Sequence, residues 1–317
     1  MKPLARLPKA LLTLGAIILL IALVGLLVGG LLIPVKWATT VWAGGVVSGT
    51  TTVKLAPFPA LTTLNVFDFN AQPGGTHFYL LGSDEGGRDL LALIAHGALP
   101  SLQLVAIVVV ARLFVGFVAG IAMSMGSTLV RTISRGMGRW VVGFPYLALA
   151  IIVVHNLSSR GKLFAFVVGL SVIGWRDVAE VVAERVSYVR AQPFAIGAKA
   201  LGTPALTFFR LHVMPHLRPA LTVEIPFQAS AVLVLLAELG YLQVYLGPVV
   251  TTSQPNNNIV HLLVRPELGQ LVADARRYIL HGEFLPAIVP AVAIALMALS
   301  FELIGLALRS RSAVRVA

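Results

Sequence analysis

Ala195-Ile-Gly-Ala-Lys-Ala-Leu-Gly-Thr-Pro-Ala-Leu-Thr-Phe-Phe-Arg-Leu-His-Val-Met-Pro215 sits between long apolar runs and carries a local structure of its own. Ala195 to Leu201 is a run of good helix formers. Gly202 suits the position just past a helix end, where a left-handed backbone costs a glycine nothing. Thr203 can cap a second helix, and Pro204 fits that helix's first position, where its missing N–H is not needed. The spacing therefore predicts a helix, a sharp turn and a second helix. Placed at a membrane surface, such an element can pass movement between a membrane domain and a soluble partner.

The membrane setting follows from composition. The chain has 317 residues, of which 57% are hydrophobic and only 12% charged, about half the usual charged share. Mean hydropathy is +0.89. Six apolar runs are read as spans: about Ala10–Ile33, Ala98–Met123, Trp140–Asn156, Leu163–Trp175, Leu217–Leu239 and Leu285–Leu308. A span needs roughly 20 residues, so the fourth is short. It must continue into Asp177–Ala183 or be sheltered by its neighbours, and a five-span arrangement stays open. The first run follows Lys2, Arg6 and Lys9. It is too long for a secretory h-region and lacks a small-residue cleavage site, so it is read as an uncleaved span.

The net charge of +11 does not point to nucleic acid, because the cations gather at the ends of apolar runs, as membrane orientation signals do. Lys2, Arg6 and Lys9 form one group. Arg131, Arg135 and Arg139 form another. A third holds Arg176, Arg185, Arg190, Lys199, Arg210 and Arg218, and a fourth Arg309, Arg311 and Arg315. With six spans all four fall on one side, which makes both termini cytoplasmic. Arg160, Lys162, Arg276 and Arg277 are exceptions on the other side. Residues 34–97 and 240–284 then face outward; the first is rich in Thr, Gly and Pro, and the second carries Ser253-Gln-Pro-Asn-Asn-Asn258, a loop signal. No internal repeat is evident.

Catalytic and metal constellations are weak. There is no cysteine, hence no thiolate chemistry or disulfide framework. His212 and His216 are an i, i+4 pair without a third ligand, which does not make a zinc site. Gly44-Gly-Val-Val-Ser-Gly-Thr-Thr51 has the glycine spacing of a phosphate loop, but Thr50 stands where lysine is required. No cofactor is expected on this chain, so any energy input must come from another subunit. Arg112, Glu224, Glu238 and Glu302 fall inside spans, where a charge costs a few kcal/mol. Arg112 should face the bundle and find a carboxylate or a carbonyl. These four are either the wall or gate of a wet pathway or interhelical packing pairs, and the second reading is preferred.

Three blocks resemble the permease subunits of ABC importers of the dipeptide/oligopeptide/nickel type. The first is the opening segment itself, which resembles the family's "EAA loop": Lys199-Ala-Leu-Gly202 matches "R-A-L-G", His212-Val-Met-Pro215 matches "H-I-L-P", and Gly174-Trp175 matches an upstream "G-W". The second, Leu81-Gly-Ser-Asp-Glu-Gly-Gly-Arg-Asp-Leu-Leu91, resembles the family's "H-P-L-G-T-D-x-x-G-R-D", with Gly82, Asp84, Gly87, Arg88 and Asp89 at the family's spacing. Asp84 or Asp89 could pair with Arg88 and cap the helix that follows. The third, Pro266-Glu-Leu-Gly-Gln-Leu-Val-Ala-Asp-Ala-Arg-Arg-Tyr-Ile279, resembles "P-x-W-G-x-M-L-x-x-x-R-x-Y". There are departures: Ile196 replaces the glutamate of EAA, Gly197-Ala198 its two alanines, Glu180 and Ala183 two usual arginines, and Leu268 the tryptophan. Glu238 matches a glutamate of the family; Glu302 stands where asparagine is usual. The stretch from Gly247 to Pro266 is longer than the family pattern leads one to expect.

The resemblance implies an all-α polytopic membrane protein with the type I ABC importer permease fold and about six transmembrane helices. Residues 1–33 would form the cytoplasmic N-terminus and first helix, 34–97 an extracytoplasmic segment, 98–308 the permease core with a coupling loop at about 176–216, and 309–317 a cytoplasmic tail. Phe194, Gly197, Ala198, Lys199, Ala200, Leu201, Gly202, Thr203, Pro204, His212 and Pro215 would couple to an ATPase. The implied setting is the inner or plasma membrane of a prokaryote. The implied partners are a second homologous permease, two ABC ATPase subunits carrying ATP and Mg, and an extracytoplasmic substrate-binding protein. Closure of the ATPase pair would rock the bundle between inward-open and outward-open packings. Two rivals are a self-sufficient secondary transporter using the buried charges, and a scaffold subunit that has lost transport.

Overall fold

Helices dominate because the long apolar runs must satisfy every backbone N–H and C=O internally once they leave water. The computed structural model describes Ala10, residues 13–19, 62–65, 76–79, 81, 90–126, 129, 132, 136, 145–247, 249–253, 259–263, 267–280 and 284–314. The elements in order are β1 (Thr62–Asn65), β2 (Thr76–Tyr79), α1 (Leu90–Met125), α2 (Tyr146–Leu157), a 3-10 turn at Ser158–Arg160, α3 (Lys162–Arg190), α4 (Pro193–Ala200), α5 (Ala205–Phe208), a π-helical stretch at Phe209–Val213, α6 (Met214–Tyr241), β3 (Val249–Ser253), β4 (Ile259–Leu263), α7 (Leu268–Leu280) and α8 (Phe284–Val314).

Three helices among the described residues are long and apolar enough to cross a membrane: Leu90–Met125, Ala205–Tyr241 and Pro286–Arg311. The first two contain the predicted second and fifth spans and extend past both ends of each; the third begins one residue inside the predicted sixth span and runs past its end to Arg311. Tyr146–Arg160 is a shorter apolar helix at the predicted third span. The predicted fourth span is the first half of α3, which runs without interruption through Asp177–Ala183 to Arg190. Of the first span, Ala10 and residues 13–19 are helical; its remainder lies outside the described residues. The family block Gly82, Asp84, Gly87, Arg88 and Asp89 also lies outside them. Strand pairs add to the helical plan in the two segments between spans, 34–97 and 240–284. β1 pairs antiparallel with β2, Thr62 opposite Tyr79, and β3 with β4, Val249 opposite Leu263.

The chain divides into two compact units: Met1–Leu19 with Leu104–Leu235 and Ala298–Ala317, and Leu20–Gln103 with Leu236–Met297. In the first, α3 supplies the core. Val178, Val182, Val186 and Val189 recur at helical spacing and are buried against Val213 and Leu217, with Leu113, Phe117, Ile121 and Met125 of α1 packed on the same cluster. α1 approaches α3 closely along small residues, as helices in lipid do. A Cβ at Gly116 would lie 2.6 Å from the Trp175 carbonyl oxygen, and one at Gly120 would lie 2.6 Å from that of Ala179. The contacts advance together along both helices, so α1 and α3 run parallel here. That is the direction expected of second and fourth crossings. Arg190 completes the seam by donating to the carbonyl of Ser124 at 2.6 Å, in the last turn of α1.

In the second unit, α7 is the seated element. Its first N–H, on Leu268, donates to the Ser101 hydroxyl at 2.9 Å, and Gln243 Nε2 donates to the Ala273 carbonyl at 2.5 Å. Gln243 has φ +64° and closes α6 in a left-handed turn. Val244 N–H reaches the Leu239 carbonyl and Gln243 N–H the Gly240 carbonyl, each at 2.8 Å, which is the paired bonding of a Schellman end.

Candidate functional site

The helix–turn–helix opens at Pro193, two residues before the predicted start, because a proline suits a first helical turn. α4 ends at Ala200, and Leu201 N–H still reaches the Gly197 carbonyl at 3.0 Å. Gly202 follows with φ +75°. Thr203 N–H then bonds back to the Ala198 carbonyl at 3.1 Å, the six-to-one bond of a Schellman ending. The predicted cap is displaced by one residue. Pro204, not Thr203, holds the N-cap position of α5, with φ −57° and ψ 142° and no side-chain cap bond. Thr203 is committed to closing α4, and a residue before proline is pushed away from helical angles. The Pro204 carbonyl accepts from Phe208 N–H at 2.9 Å.

From Ala205 the chain is helical as far as Tyr241. The second helix of the turn and the predicted fifth span are therefore one element. Its regular bonding loosens once, at Phe209–Val213, where Met214 N–H bonds to the Phe209 carbonyl five residues back. Pro215 comes next and cannot donate to Leu211, so a regular α turn would lack a bond there; the wide turn absorbs that defect.

An aromatic stack closes the element. Phe194 of α4 lies 5.6 Å from the His212 ring and 6.2 Å from the His216 ring, the second pair nearly parallel at 19°. Phe208 also contacts the His212 ring, at 5.3 Å. His216 Nδ1 is 2.7 Å from the His212 carbonyl oxygen. The i, i+4 histidines thus serve as a stacking face. Spacing alone placed them on one face of the helix, but it did not say that a phenylalanine upstream of the turn would fold onto them.

Ala195 is buried at the root of the segment, while Ile196, Leu201, Leu206 and Leu211 are 62%, 88%, 62% and 64% exposed. Gly197 and Ala200 are exposed, and Ala198, Thr203 and His212 are half-buried; Pro204 and Pro215 are exposed. Lys199 lies within α4. The surface offered is mainly apolar.

The intramembrane charges separate. Arg112 is 1% exposed. It donates Nε and Nη2 to the Leu170 carbonyl at 3.0 and 2.7 Å and Nη1 to Gln228 Oε1 at 3.0 Å. Gln228 is also hydrogen-bonded to Glu224, one turn earlier on α6. Asp177 lies within electrostatic reach of both Arg112 and Glu224. Glu238 lies in the second unit, and Glu302 is half-buried on α8. The sequence showed the arginine and its need for a partner. It did not single out Gln228, whose mark was an amide in an apolar run four residues after a carboxylate.

A family model described as "Binding-protein-dependent transport system inner membrane component" matches residues 112–314. The chain is 26% identical to the dipeptide transport system permease protein of Alkalihalophilus pseudofirmus, over 84% of this chain and 83% of that one. It is 25% identical to the di/tripeptide transport system permease protein of Pseudomonas aeruginosa, over 74% and 72%. A solved amino acid ABC transporter structure aligns with TM-score 0.47 and 19% identity, covering 68% of this chain and 93% of that one. Since the family model spans well over half of its length, the chain belongs to the binding-protein-dependent transport system inner membrane components, the membrane permease subunits of ABC importers.

Proposed function

We propose that this chain forms, with a second permease, the pathway by which an ATP-driven importer admits di- and oligopeptides. The observation that carries the proposal is the continuity of the Gly202 turn with the long helix Ala205–Tyr241. A push on α4 is delivered to the foot of a membrane-crossing helix with no flexible linker between. The family membership supplies the importer, and the names of the curated relatives favour peptides as its cargo. The family resemblance points to two ATPases in the cytoplasm and an extracytoplasmic binding protein, with the chain itself holding no catalytic site.

The segment around Phe194, Gly197–Pro204, His212 and Pro215 would seat in a cleft of one ATPase. The exposed side chains Ile196, Leu201, Leu206 and Leu211 would make this contact an apolar one, which suits Ile196 in the place of the family's glutamate. The basic groups at the ends of the spans put both termini in the cytoplasm. The block at Gly82, Asp84, Gly87, Arg88 and Asp89 would order the start of α1 on the outer side. Family membership leaves neither the self-sufficient transporter nor the scaffold with support of its own.

The test is purification of the chain from its native membrane in mild detergent, with mass spectrometry and an ATPase assay. Co-purified ATPases and a second permease, with ATP turnover and uptake of labelled peptides after reconstitution, are expected. A chain that emerges alone and without ATPase activity would overturn the importer assignment.

A further inference from the structure

We infer that Arg112 is a positioning residue for transport, the buried clamp that makes the helices on either side of the coupling segment move as one; this rests on the importer reading above. α3 leads into the segment and α6 leads out of it. The guanidinium of Arg112 is bonded to both, through the Leu170 carbonyl on α3 and Gln228 on α6. A planar cation with a fixed fork of donors sets the distance and angle of both acceptors together, at Leu170 and Gln228, apart from the apolar contact that Val178, Val182, Val186 and Val189 make with Val213 and Leu217.

The fold makes room for this. A Cβ on Gly174 would strike the Cζ, Nε and Nη1 atoms of Arg112. Gly174 is four residues past Leu170, so its N–H faces the same carbonyl in a regular α-helix. The missing side chain is what lets a guanidinium reach that carbonyl, whose second lone pair is available to it. Arg112, Gly116 and Gly120 recur every four residues on α1, and all three oppose α3: Leu170 and Gly174 for the first, Trp175 and Val178 for the second, Ala179 and Val182 for the third. The clamp is thus the polar end of the close α1–α3 seam. A packing role alone would be met by a third small residue. A charge that is costly to bury, joined to two helices and backed by Asp177 and, through Gln228, by Glu224, fits a contact that must hold while the neighbouring helices are driven.

The experiment uses the complete transporter in proteoliposomes and compares wild type with Arg112→Met, Gly174→Ala and Gln228→Leu. Each is scored for assembled complex, ATP hydrolysis and peptide uptake per ATP. Since the native chain has no cysteine, spin labels at Phe164→Cys and Val234→Cys, both exposed and each six residues from an acceptor of the clamp, report the distance between the two flanking helices. The expected result is normal assembly and ATP hydrolysis with uptake per ATP reduced at least tenfold in Arg112→Met. Gly174→Ala, which keeps the charge but blocks its approach, should fall the same way. The label distance should stay single and unchanged by ATP in wild type and broaden in both variants. Normal uptake per ATP in Gly174→Ala and Gln228→Leu would overturn the proposal. So would a loss of uptake that only tracks a loss of assembled complex. If wild type itself moves no peptide, the importer reading fails and not the clamp, which the label distances still test.

Discussion

The ring of Phe194 stacks on the imidazole of His216 at 6.2 Å and 19°, joining the helix before the Gly202 turn to the helix after it. With His212 it makes a second contact at 5.6 Å. The turn is therefore braced by a side-chain stack on one flank and by the Gly202 backbone on the other. An element so braced can be pushed without folding up, which is what a transmitter of force needs.

Aromatic pairs of this kind contribute about 0.5–1.5 kcal/mol beyond their buried area. Phe194→Ala should therefore raise amide hydrogen exchange across residues 194–203 several-fold, while α6 beyond Leu217 keeps its protection. Phe194→Leu retains apolar area but not the stack and should lie between. Exchange measured on the detergent-solubilised complex decides this; equal protection in all three forms would show that the stack does not brace the turn.

Gly202 tests the backbone half of the same brace. Its φ is +75°, and a Cβ added there would meet nothing within 4 Å. The penalty for any other residue is thus conformational and not steric. Gly202→Val should cost about 1–2 kcal/mol, or more for its branching, whereas Gly202→Asn should be tolerated because asparagine adopts left-handed angles readily. With the complex still assembled, the valine variant should lose uptake and the link between uptake and ATP hydrolysis, and the asparagine variant should keep both. Intact coupling in Gly202→Val would refute the role of this turn.

Gly197 makes the opposite prediction five residues upstream. It lies in the body of α4, is exposed, and has open space where a Cβ would go. Alanine should stabilise α4 by about 0.5–1 kcal/mol, seen as slower exchange of the α4 amides, with transport undiminished. A loss of transport despite a firmer helix would mean that the ATPase contact needs the bare backbone at this position.

The reach of the sequence differs from element to element for physical reasons. Gly202 announced its turn because a left-handed residue is a local matter, set by one side chain. The apolar runs announced spans, but their ends were placed short. Ala205–Phe208 looked like a separate surface helix, and only Pro215 hinted at the widened turn that joins it to α6. The fourth span looked too short until α3 was seen to continue through Asp177 and Glu180, where Arg176 and Glu180 form an i, i+4 ion pair at 2.6 Å on its polar face. The partners of Arg112 were not legible, since Leu170 and Gln228 lie 58 and 116 residues away along the chain. The Phe194 stack was missed on the same ground: two rings on one side of a turn reveal nothing about the angle at which the other side returns.

The seat of α7 supports a last prediction. Ser101 donates to the Gly97 carbonyl and accepts the Leu268 N–H, each at 2.9 Å, so one hydroxyl ties α1 to the first turn of α7. Ser101→Ala leaves that buried N–H without its acceptor and should cost about 0.5–2 kcal/mol, the usual cost of a lost cap. Threonine keeps the hydroxyl and should cost less. One residue further along α7 is Gly269, whose carbonyl a Cβ on Gly240 of α6 would strike, so Gly240→Ala should cost about 1–3 kcal/mol through overpacking. Both changes unseat the same helix, and once it has shifted the second has less left to disrupt. Thermal unfolding of the purified complex in detergent should therefore show a double variant less destabilised than the sum of the singles. Strict additivity would mean that the Ser101 cap and the Gly240–Gly269 crossing hold α7 independently.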